Sequence, residues 1–485
     1  MVGRPIVVWF RNDLRVADHP ALAAAAATGR PIVPVFVLDD GIAGEWALGG
    51  ASRWWLHHSL LALGQSLHER GTELILRRGN TRRQLCTLAH DSRACAVYCS
   101  RSFEPWAPSL ENDLYHQLGD REVEFKRFSG SLLHDPDNLR TKAGAPFKVY
   151  TPFWRAMTAK AANQRSPIGE PEAVVGFDGS LDCDKLAEWE LLPTHPDWSK
   201  GLRQAWVPGE RAARGRLAEF LDDDASEYGR LRDRPDLTAT SRLSPHLRFG
   251  EISPAVCWRA ALLHADRRPK SAEGLEVFRK ELAWREFSYH LLHHFPSLPD
   301  TPFKDQFLRF PWQSDDTRKS SMLRAWQRGR TGYPIVDAGM RELWATGWMH
   351  NRVRMIVASF LTKHLLQPWQ AGEAWFWDCL VDADLASNAA SWQWVAGCGA
   401  DAAPYFRVFN PIIQSEKFDP KGAYIRKWVP EIADLPNKYI HVPWTAPAAL
   451  LYATNIRLGE SYPNPLVDHT TARARALSAY ETIKR

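Results

Sequence analysis

The feature that most constrains the fold is the way hydrophobic period alternates along the first ~130 residues. Short, almost continuous apolar runs alternate with stretches in which apolar residues recur at helical spacing. Parallel strands require crossover connections, so this alternation predicts a doubly wound parallel sheet with helices on both faces. The predicted strands are 5–10, 31–38, 72–76, 94–99 and 123–128, and the predicted helices are 18–28, 51–69, 81–91 and 108–118.

Two of these helices begin after residues that favour the N-cap position. Asp18 precedes the alanine-rich run of the first helix, and Asn80 precedes Thr81. The turn after the first strand reads FRNDLR and lacks the G-x-G-x-x-G pattern that brings a pyrophosphate against a helix start. We therefore expect no tightly held dinucleotide in this domain, although another ligand can bind at the carboxyl edge of the sheet.

The pattern changes twice along the rest of the chain. Proline and glycine interrupt residues 129–200 repeatedly, which predicts a long connection over the surface. Beyond residue 201, apolar residues recur at helical spacing in 209–223, 253–264, 273–293, 334–346, 350–365, 372–380 and 385–395. The predicted fold class is an α/β N-terminal domain (1–130), a linker (131–200) and an all-α C-terminal domain (201–485).

Composition narrows the class of protein. Hydrophobic residues make up 45% of the chain and charged residues 24%, which is typical of a globular protein and argues against disorder. No apolar run approaches the ~20 residues of a membrane span, and the chain opens directly into a strand, so we expect a cytosolic protein. Seven scattered cysteines indicate buried, reduced thiols. The net charge of +5 permits a polyanionic partner but does not require one.

The 22 tryptophans are unusual. On composition alone, a large aromatic core explains them better than stacking on a ligand or electron transfer does.

Three predicted helices carry polar side chains spaced so that they share one helix face. Each face alone is more often solvated than functional, but the surrounding Trp, Leu, Met and Phe argue for partial burial. Buried polar groups need partners, so three such faces indicate a polar ligand in a helix-lined pocket. The faces are Glu281, Trp284 and Arg285; Asn351, Arg354 and Met355; and Asp384 with Asn388, next to Asp382 and Trp392.

Three shorter patterns are ambiguous. Hydroxyl residues of 238–244 interleave with Arg242 and can cradle a phosphate, although many helix caps look alike. The basic stretch 230–234 is equally compatible with surface ion pairs and with contacts to a phosphate backbone. Asp382 and Asp384 lack the surrounding ligands of a metal site, and they lie too close in sequence for a glycosidase pair, so no metal is predicted.

The same segments resemble the photolyase/cryptochrome family along essentially the whole chain. The opening VVWFRNDLRVADHPAL is similar to the start of the family. The stronger likeness is C-terminal, in TSRLSPHLRFGEISP, ELAWREFSYHLL, WQRGRTGYPIVDAGMREL, TGWMHNRVRMIVASFLTKHLL, DADLASNAASWQWVAGCGADAAPYFRVFNP and EKFDPKGAYIRKWVPEI. The resemblance implies an α/β domain joined to a helical flavin domain, as the periodicity also predicts.

The resemblance implies noncovalent FAD in the helical domain, active when fully reduced. The residues implied to hold its phosphates are Tyr228, Thr240, Ser241, Arg242, Leu243 and Ser244, and those implied to line the flavin are Phe278, Arg285, Asn351, Arg354, Asp382, Asp384 and Asn388. Glu104 matches the acidic position of folate-binding members, and Trp46 or Trp106 offers a stacking surface. The implied antenna is therefore 5,10-methenyltetrahydrofolate. An asparagine and a lysine of that folate site are missing, so a deazaflavin is the alternative.

The implied reaction is light-driven repair of a cyclobutane pyrimidine dimer in UV-damaged DNA. Excited reduced flavin donates an electron to the flipped-out dimer, the ring splits and the electron returns. Glu281 is implied to bond the dimer bases, and a chain of Trp392, Trp369 and Trp312 to reduce the flavin. The other implied DNA contacts are Arg232, Trp284, Asn351, Arg352, Met355, Trp394 and Gln414.

Within the family, three residues favour dimer repair. Asn351 and Met355 stand where (6-4) photoproduct enzymes have histidines, and Asn388 stands where plant cryptochromes have aspartate and animal ones commonly cysteine. The main alternative is a cryptochrome-type blue-light receptor. A repair enzyme restricted to single-stranded DNA and a two-domain flavin electron-transfer protein also remain open. We expect a monomer.

Overall fold

The computed structural model describes residues 3–160, 166–313, 321–402 and 406–484. The chain folds into two compact units. The first unit comprises residues 1–229, 241–296 and 381–386, and the second comprises 230–240, 297–380 and 387–485. The domain limits predicted at residues 130 and 200 stay predictions.

The first unit contains a five-stranded parallel sheet in the order β3-β2-β1-β4-β5, which confirms the predicted fold class. Ile6 of the central strand pairs with Ile32 on one side and Ala96 on the other, so the strand order reverses between β1 and β4. The strands are β1 (Ile6–Phe10), β2 (Ile32–Leu38), β3 (Ile75–Arg78), β4 (Ala96–Ser100) and β5 (Glu124–Phe128).

One strand lies later in the chain than its apolar pattern predicts. The run 72–76 predicts the third strand, but β3 pairs with β2 through Val35↔Ile75 to Leu38↔Arg78. In this edge strand only Leu76 is buried, while Ile75 and Arg77 are partly buried and Arg78 is exposed, so two arginines can occupy its end. Hydrophobicity therefore does not mark this strand.

Four helices connect the strands: α1 (Pro20–Ala26), α2 (Gly50–His68), α3 (Thr81–Asp91) and α4 (Ala107–Gly119). Asn80 caps α3 as predicted, since its side chain accepts from the Arg83 amide at 3.0 Å. The predicted cap at Asp18 is wrong. His19 is the N-cap of α1, and its Nδ1 accepts from the Leu22 amide at 3.0 Å.

The side chain of Asp18 accepts hydrogen bonds from residues distant in sequence instead of capping the helix. Its backbone is left-handed at φ 51°. Its buried carboxylate accepts from the Ile168 amide at 2.9 Å and from the Ser253 hydroxyl. Both carboxylate oxygens thus accept hydrogen bonds from partners 150 and 235 residues away, and the carboxylate does not cap α1.

The described residues of the segment 129–200 are more ordered than a surface connection. It contains the helix α5 (Tyr150–Ala159), and Gly176 forms a parallel bridge with Ile32 of β2. Only ten residues long, α5 lies among many helix-breaking residues, which hide its periodicity in the sequence.

The remaining helices confirm the all-α prediction beyond residue 201, where the described residues form an isolated bridge but no strand. The predicted helix 334–346 coincides with α13 (Pro334–Thr346). The π-helical turns Phe220–Asp224 and Phe360–His364 extend α7 (Glu210–Glu219) and α14 (Asn351–Ser359). The bounds are α6 (Lys200–Ala205), α7 (Glu210–Glu219), α8 (Tyr228–Leu231), α9 (Ser244–Arg248), α10 (Pro254–Arg267), α11 (Ala272–His294), α12 (Ser321–Gln327), α13 (Pro334–Thr346), α14 (Asn351–Ser359), α15 (Trp369–Cys379), α16 (Leu385–Ala396), α17 (Pro411–Phe418), α18 (Ala423–Trp428), α19 (Asn437–Ile440), α20 (Ala448–Ala453) and α21 (His469–Glu481).

All seven cysteines are free thiols, as predicted. Their predicted burial is wrong at two positions, because Cys183 is exposed and Cys95 is partly exposed. Among the described residues, no helix combines the length and apolarity needed to cross a bilayer.

Candidate functional site

The predicted phosphate loop and the acidic segment meet in the first unit. The Ser244 hydroxyl, at the start of α9, donates to Asp382 Oδ2 at 2.6 Å. Arg242 has left-handed backbone at φ 50°, and its guanidinium lies 4.2 Å from the ring centre of Trp206. Residues 138 positions apart in sequence are thus joined by one hydrogen bond.

Asp382 and Asp384 are both buried, with 8% and 7% of their surfaces exposed. The Tyr289 hydroxyl donates to Asp384, and Arg248 Nε donates to the carbonyl oxygen of Ala383 between the two aspartates. Arg248 Nη1 is buried without an acceptor among the described residues. A buried guanidinium nitrogen of this kind fits an anionic ligand, because buried donors almost always have a partner.

One predicted phosphate residue and one predicted flavin residue share an aromatic cluster of the first unit. Tyr228 and Phe278 are buried, and both pack against Phe220 at ring-centre distances of 5.2 and 4.8 Å. Their own ring centres lie 6.1 Å apart. The structure therefore brings together two residues separated by 50 positions in sequence.

The helix α11 carries Glu281, Trp284 and Arg285, all partly buried. Trp284 stacks on Tyr150 of α5, with ring centres 3.7 Å apart and planes at 4°. Arg285 Nη1 donates to the Ser131 carbonyl at 3.2 Å. The three residues thus lie on one helix, as predicted, and Tyr150 covers one face of the indole.

In the second unit, the start of α14 carries Asn351, Arg352, Arg354 and Met355. Asn351 is exposed and the other three are partly buried. Arg354 Nε donates to the Met349 carbonyl at 2.7 Å, and Arg352 Nη1 lies 3.5 Å from the Met355 sulfur.

The basic stretch 230–234 contacts the same helix. Arg352 forms a 2.7 Å ion pair with Asp233, next to the partly buried Arg232. Within this stretch, Asp233 therefore forms a surface ion pair, as one of the two interpretations predicts. A phosphate that binds Arg352 has to share its guanidinium with Asp233.

Asn388 lies on α16, where its Nδ2 donates to the Glu373 carbonyl at 3.1 Å. This bond uses the amide nitrogen, so the amide can meet an N–H donor with its oxygen. Burial raises the pKa of the Glu373 carboxyl well above its usual range, and its Oε1 has no partner among the described residues. Burial therefore favours the uncharged form of the Glu373 carboxyl in the folded protein.

The predicted tryptophan chain lies in the second unit. Trp392 and Trp369 are buried, with 2% and 1% exposed, and Trp312 is partly exposed. The ring of Trp392 contacts Trp326 and Phe376, with centres 6.2 and 5.0 Å away. Trp312 packs on Phe310 at 4.3 Å. Electron transfer along Trp392, Trp369 and Trp312 stays a prediction.

The two remaining predicted DNA contacts, Trp394 and Gln414, are partly buried. Trp394 Nε1 donates to the Asp401 carbonyl at 3.0 Å. Trp394 also lines a small pocket with Lys363 and Arg407, and burial lowers the pKa of Lys363 to about 7.

Glu104 lies in a pocket of the first unit, at the carboxyl ends of β1 and β4 where the strand order reverses. Open α/β sheets bind ligands at such a point. The carboxylate accepts from Asn12 Nδ2 at 2.8 Å, from the Ser102 hydroxyl and from the Phe103 amide at 3.3 Å. The pocket is lined by Arg11, Asn12, Asp13, Ser100, Arg101, Ser102, Phe103, Glu104, Ser131, Arg285 and Tyr289.

One cluster has the composition of a metal site. Asp137, His293 and His294 place potential ligand atoms within 4.8 Å of one another. However, Asp137 already pairs with Arg101 at 2.9 Å and with Arg140 at 3.5 Å. Two guanidinium groups at its only carboxylate oppose the binding of a cation.

Known proteins match this chain along nearly its whole length. Residues 6–172 match the family described as DNA photolyase, and residues 278–482 match the FAD binding domain of DNA photolyase. The chain belongs to the photolyase/cryptochrome family. Within the family, it is 49% identical to a protein named deoxyribodipyrimidine photo-lyase from Agrobacterium fabrum, over 99% of this chain and 98% of that one.

Two more relatives show the range of the family. A crystal structure of a bacterial class III photolyase from Agrobacterium tumefaciens is similar with a TM-score of 0.95 and 48% identity, over 100% of this chain and 98% of that chain. Cryptochrome-1 of Arabidopsis thaliana is 36% identical over 97% of this chain and 69% of its own length. The predicted family and fold are confirmed.

Three residues of the site escaped prediction from sequence. Tyr150 lies in the segment expected to be irregular, and Arg248 and Glu373 have no spacing pattern of their own. A chemical signal was available only for Glu373, a charged residue in the mostly apolar helix Trp369–Cys379. The short helix that carries Arg248 also contains serine and histidine, so a charged residue does not stand out there.

Proposed function

We propose that this protein is a deoxyribodipyrimidine photo-lyase that repairs cyclobutane pyrimidine dimers in UV-damaged DNA under blue light. The observation that carries the proposal is the 49% identity to a protein of that name along 99% of this chain and 98% of the other. Asn388, rather than an aspartate, on α16 supports repair over signalling.

The residues present fit FAD, whose binding domain the chain contains. Bound FAD supplies a light-driven electron donor. Arg248, with its buried unpaired nitrogen, fits the negative charge of the diphosphate, and residues 240–244 supply hydroxyls and a further guanidinium. Tyr228 joins them at the phosphates. The residues proposed to line the flavin are Phe278, Arg285, Asn351, Arg354, Asp382, Asp384 and Asn388.

The proposed substrate contacts begin at α11. Glu281 accepts hydrogen bonds from the bases of the dimer, and the free face of Trp284 stacks on them. Trp394 provides a second stacking surface and Met355 an apolar contact. A dimer must leave the duplex to be reached, and its weakened stacking lowers that cost.

Four residues are proposed to contact the DNA around the lesion: Arg232, Asn351, Arg352 and Gln414. Contacts of arginine with phosphates position a duplex without reading its sequence, as a repair enzyme requires. The net charge of +5 favours such contacts.

We further propose that Trp392, Trp369 and Trp312 carry electrons to the flavin. The burial of Trp392 and Trp369 keeps their indoles away from water, and the partial exposure of Trp312 allows an external reductant to reach it.

The proposed antenna is 5,10-methenyltetrahydrofolate, with Glu104 bonding the pterin ring, and a deazaflavin is the alternative. The Glu104 pocket supports a ligand at this edge of the sheet because donors and acceptors converge there. A monomeric state and a cytosolic location stay predictions.

The test is repair of a thymine-dimer oligonucleotide by the reduced holoprotein under blue light, with a dark control. We expect light-dependent loss of the dimer. Glu281→Ala should lower repair about tenfold or more, because a charge-assisted hydrogen bond to the bases is lost. Glu276→Ala is the matched control, since Glu276 is exposed on the same helix and pairs with Lys280 at 2.7 Å.

The receptor alternative predicts a different result from the same sample. A holoprotein that is photoreduced but leaves the dimer intact would exclude repair and favour blue-light signalling.

A further inference from the structure

We propose that Tyr150 is a positioning residue, which holds the indole of Trp284 so that only one of its faces is available to the damaged bases. The inference rests on the proposed function, in which Trp284 stacks on the dimer. It assigns a specific task to α5.

The geometry of the stack leaves one face of the indole for a ligand. The two rings are nearly parallel, at 4°, with centres 3.7 Å apart. Tyr150 is buried, with 9% exposed, whereas Trp284 is only partly buried. A base therefore has to approach Trp284 on the side away from Tyr150.

The phenol hydroxyl fixes the tyrosine to the helix that carries the indole. Tyr150 Oη donates to the Lys280 carbonyl at 2.7 Å, four residues before Trp284 in α11. Tyr150 thus contacts the backbone of α11 at Lys280 and, one turn later, the side chain of Trp284.

A third ring, that of Phe287, packs edge-on against both Trp284 and Tyr150. Phe287 meets Trp284 edge-on, with ring centres 5.9 Å apart and planes at 73°. It meets Tyr150 in the same way, at 6.0 Å and 72°. The indole is packed on one face and one edge, so rotation about its χ angles would break two aromatic contacts.

This restriction acts on binding rather than on bond cleavage. An indole that is already ordered loses little conformational freedom when a base stacks on it, so the affinity for the lesion is higher. The affinity should therefore depend on Tyr150, while the repair yield per photon at saturating DNA should not.

The experiment measures dark binding of the FAD-loaded protein to a thymine-dimer oligonucleotide and to its undamaged counterpart. Tyr150→Leu should weaken binding of the dimer about 3- to 10-fold, the cost of immobilising one side chain on binding, and leave undamaged DNA unaffected. Tyr150→Phe keeps the stacked ring and should retain most of the affinity. Unchanged dimer binding in Tyr150→Leu would overturn the proposal.

Phe153→Leu is the matched control for the docking of α5. Phe153 lies on the same helix and packs on Phe287, with ring centres 5.2 Å apart. If Phe153→Leu weakens dimer binding as much as Tyr150→Leu does, the effect belongs to the helix and the proposal fails.

A double substitution tests whether Tyr150 acts through Trp284. In a Trp284→Leu protein, adding Tyr150→Leu should cause no further loss of dimer affinity. An equal loss with and without the indole would overturn the proposal, because the two effects would then be independent.

A measurement by ¹⁹F NMR tests the stacking without requiring repair activity. In protein labelled with 5-fluorotryptophan, the ¹⁹F resonance of Trp284 is the one missing from Trp284→Phe. It should shift in Tyr150→Leu without DNA, because the ring current of the stacked phenol is removed. A stationary resonance would overturn the stacking role. Wild-type protein that binds damaged and undamaged DNA equally would contradict the photolyase proposal alone.

Discussion

Glu286 shows how burial gives a single residue a pH-dependent effect on stability. Only 3% of it is exposed, and its Oε2 accepts from the Leu133 amide at 2.8 Å and from the His134 amide at 3.3 Å. Burial raises the pKa of this carboxyl from 4.5 to about 7, although the nearby Arg285 opposes the shift. The folded protein therefore holds a proton here that the unfolded chain releases near pH 4.5.

This difference predicts the sign of the pH dependence. The stabilisation is fully present below pH 4.5 and is lost as the pH rises through about 7. Glu286→Gln keeps a neutral acceptor of the same size, so it should match the wild type near pH 5. At pH 8 it should be more stable by about 3 kcal/mol. Thermal unfolding at both pH values measures this.

The matched control is Glu276→Gln on the same helix, an exposed residue paired with Lys280. Its effect should be small at both pH values, since exposed ion pairs contribute little. A Glu286→Gln effect of equal size at pH 5 and pH 8 would show that burial does not shift this carboxyl.

At the scale of elements, close packing of α15 on α16 depends on one glycine. A Cβ on Gly372 would lie 2.1 Å from the ring of Trp392 and 2.7 Å from Leu361. Gly372→Ala should therefore displace the indole and destabilise the protein by about 1–3 kcal/mol, as overpacking does. If Trp392 reduces the flavin, photoreduction of FAD should also slow, and absorbance at 450 nm under blue light measures it.

Gly215→Ala in α7 is the control for the same substitution. No atom lies within 4 Å of a Cβ placed there. It should leave photoreduction unchanged and stabilise the protein by up to about 1 kcal/mol, since alanine favours helix. If both alanines had the same effect, contact with Trp392 would not be the cause.

The elements also show what sequence can and cannot predict. Helix α13 was predictable to the residue because its apolar period is uninterrupted between Pro334 and the glycine after Thr346. The edge strand β3 and the short helix α5 were not, because arginines occupy the first and helix breakers surround the second. The hydrophobic periodicity of a segment predicts an element that is long and has a buried face. It does not predict an element that is short or half exposed.

At the scale of the whole molecule, the sequence predicts candidate residues for the site but not the contacts that those residues make. Helical spacing places Glu281, Trp284 and Arg285 on one face, but it does not reveal that Tyr150 covers the indole. Nor does sequence show that Arg352 pairs with Asp233, 119 residues away. Partners at such separation are fixed by tertiary packing, which leaves no periodic signal in the chain.

The last prediction concerns the proposed cofactor and the stability of the entire protein. The buried Nη1 of Arg248 has no acceptor among the described residues, and a buried donor without a partner destabilises a fold. A ligand that binds only the folded state stabilises it by RT ln(1 + [L]/Kd), about 4 kcal/mol at a thousandfold excess over Kd. Removing FAD should therefore lower the unfolding temperature of the whole chain.

Adding back FAD should raise the unfolding temperature in proportion to the logarithm of its concentration. Riboflavin lacks the diphosphate, so it should raise the unfolding temperature less than FAD does. In Arg248→Met the difference between the two ligands should be smaller, because the guanidinium that contacts the diphosphate is gone. Riboflavin that stabilises the protein as well as FAD does would exclude Arg248 as a diphosphate contact. Equal unfolding temperatures with and without FAD would show that the fold does not depend on the flavin.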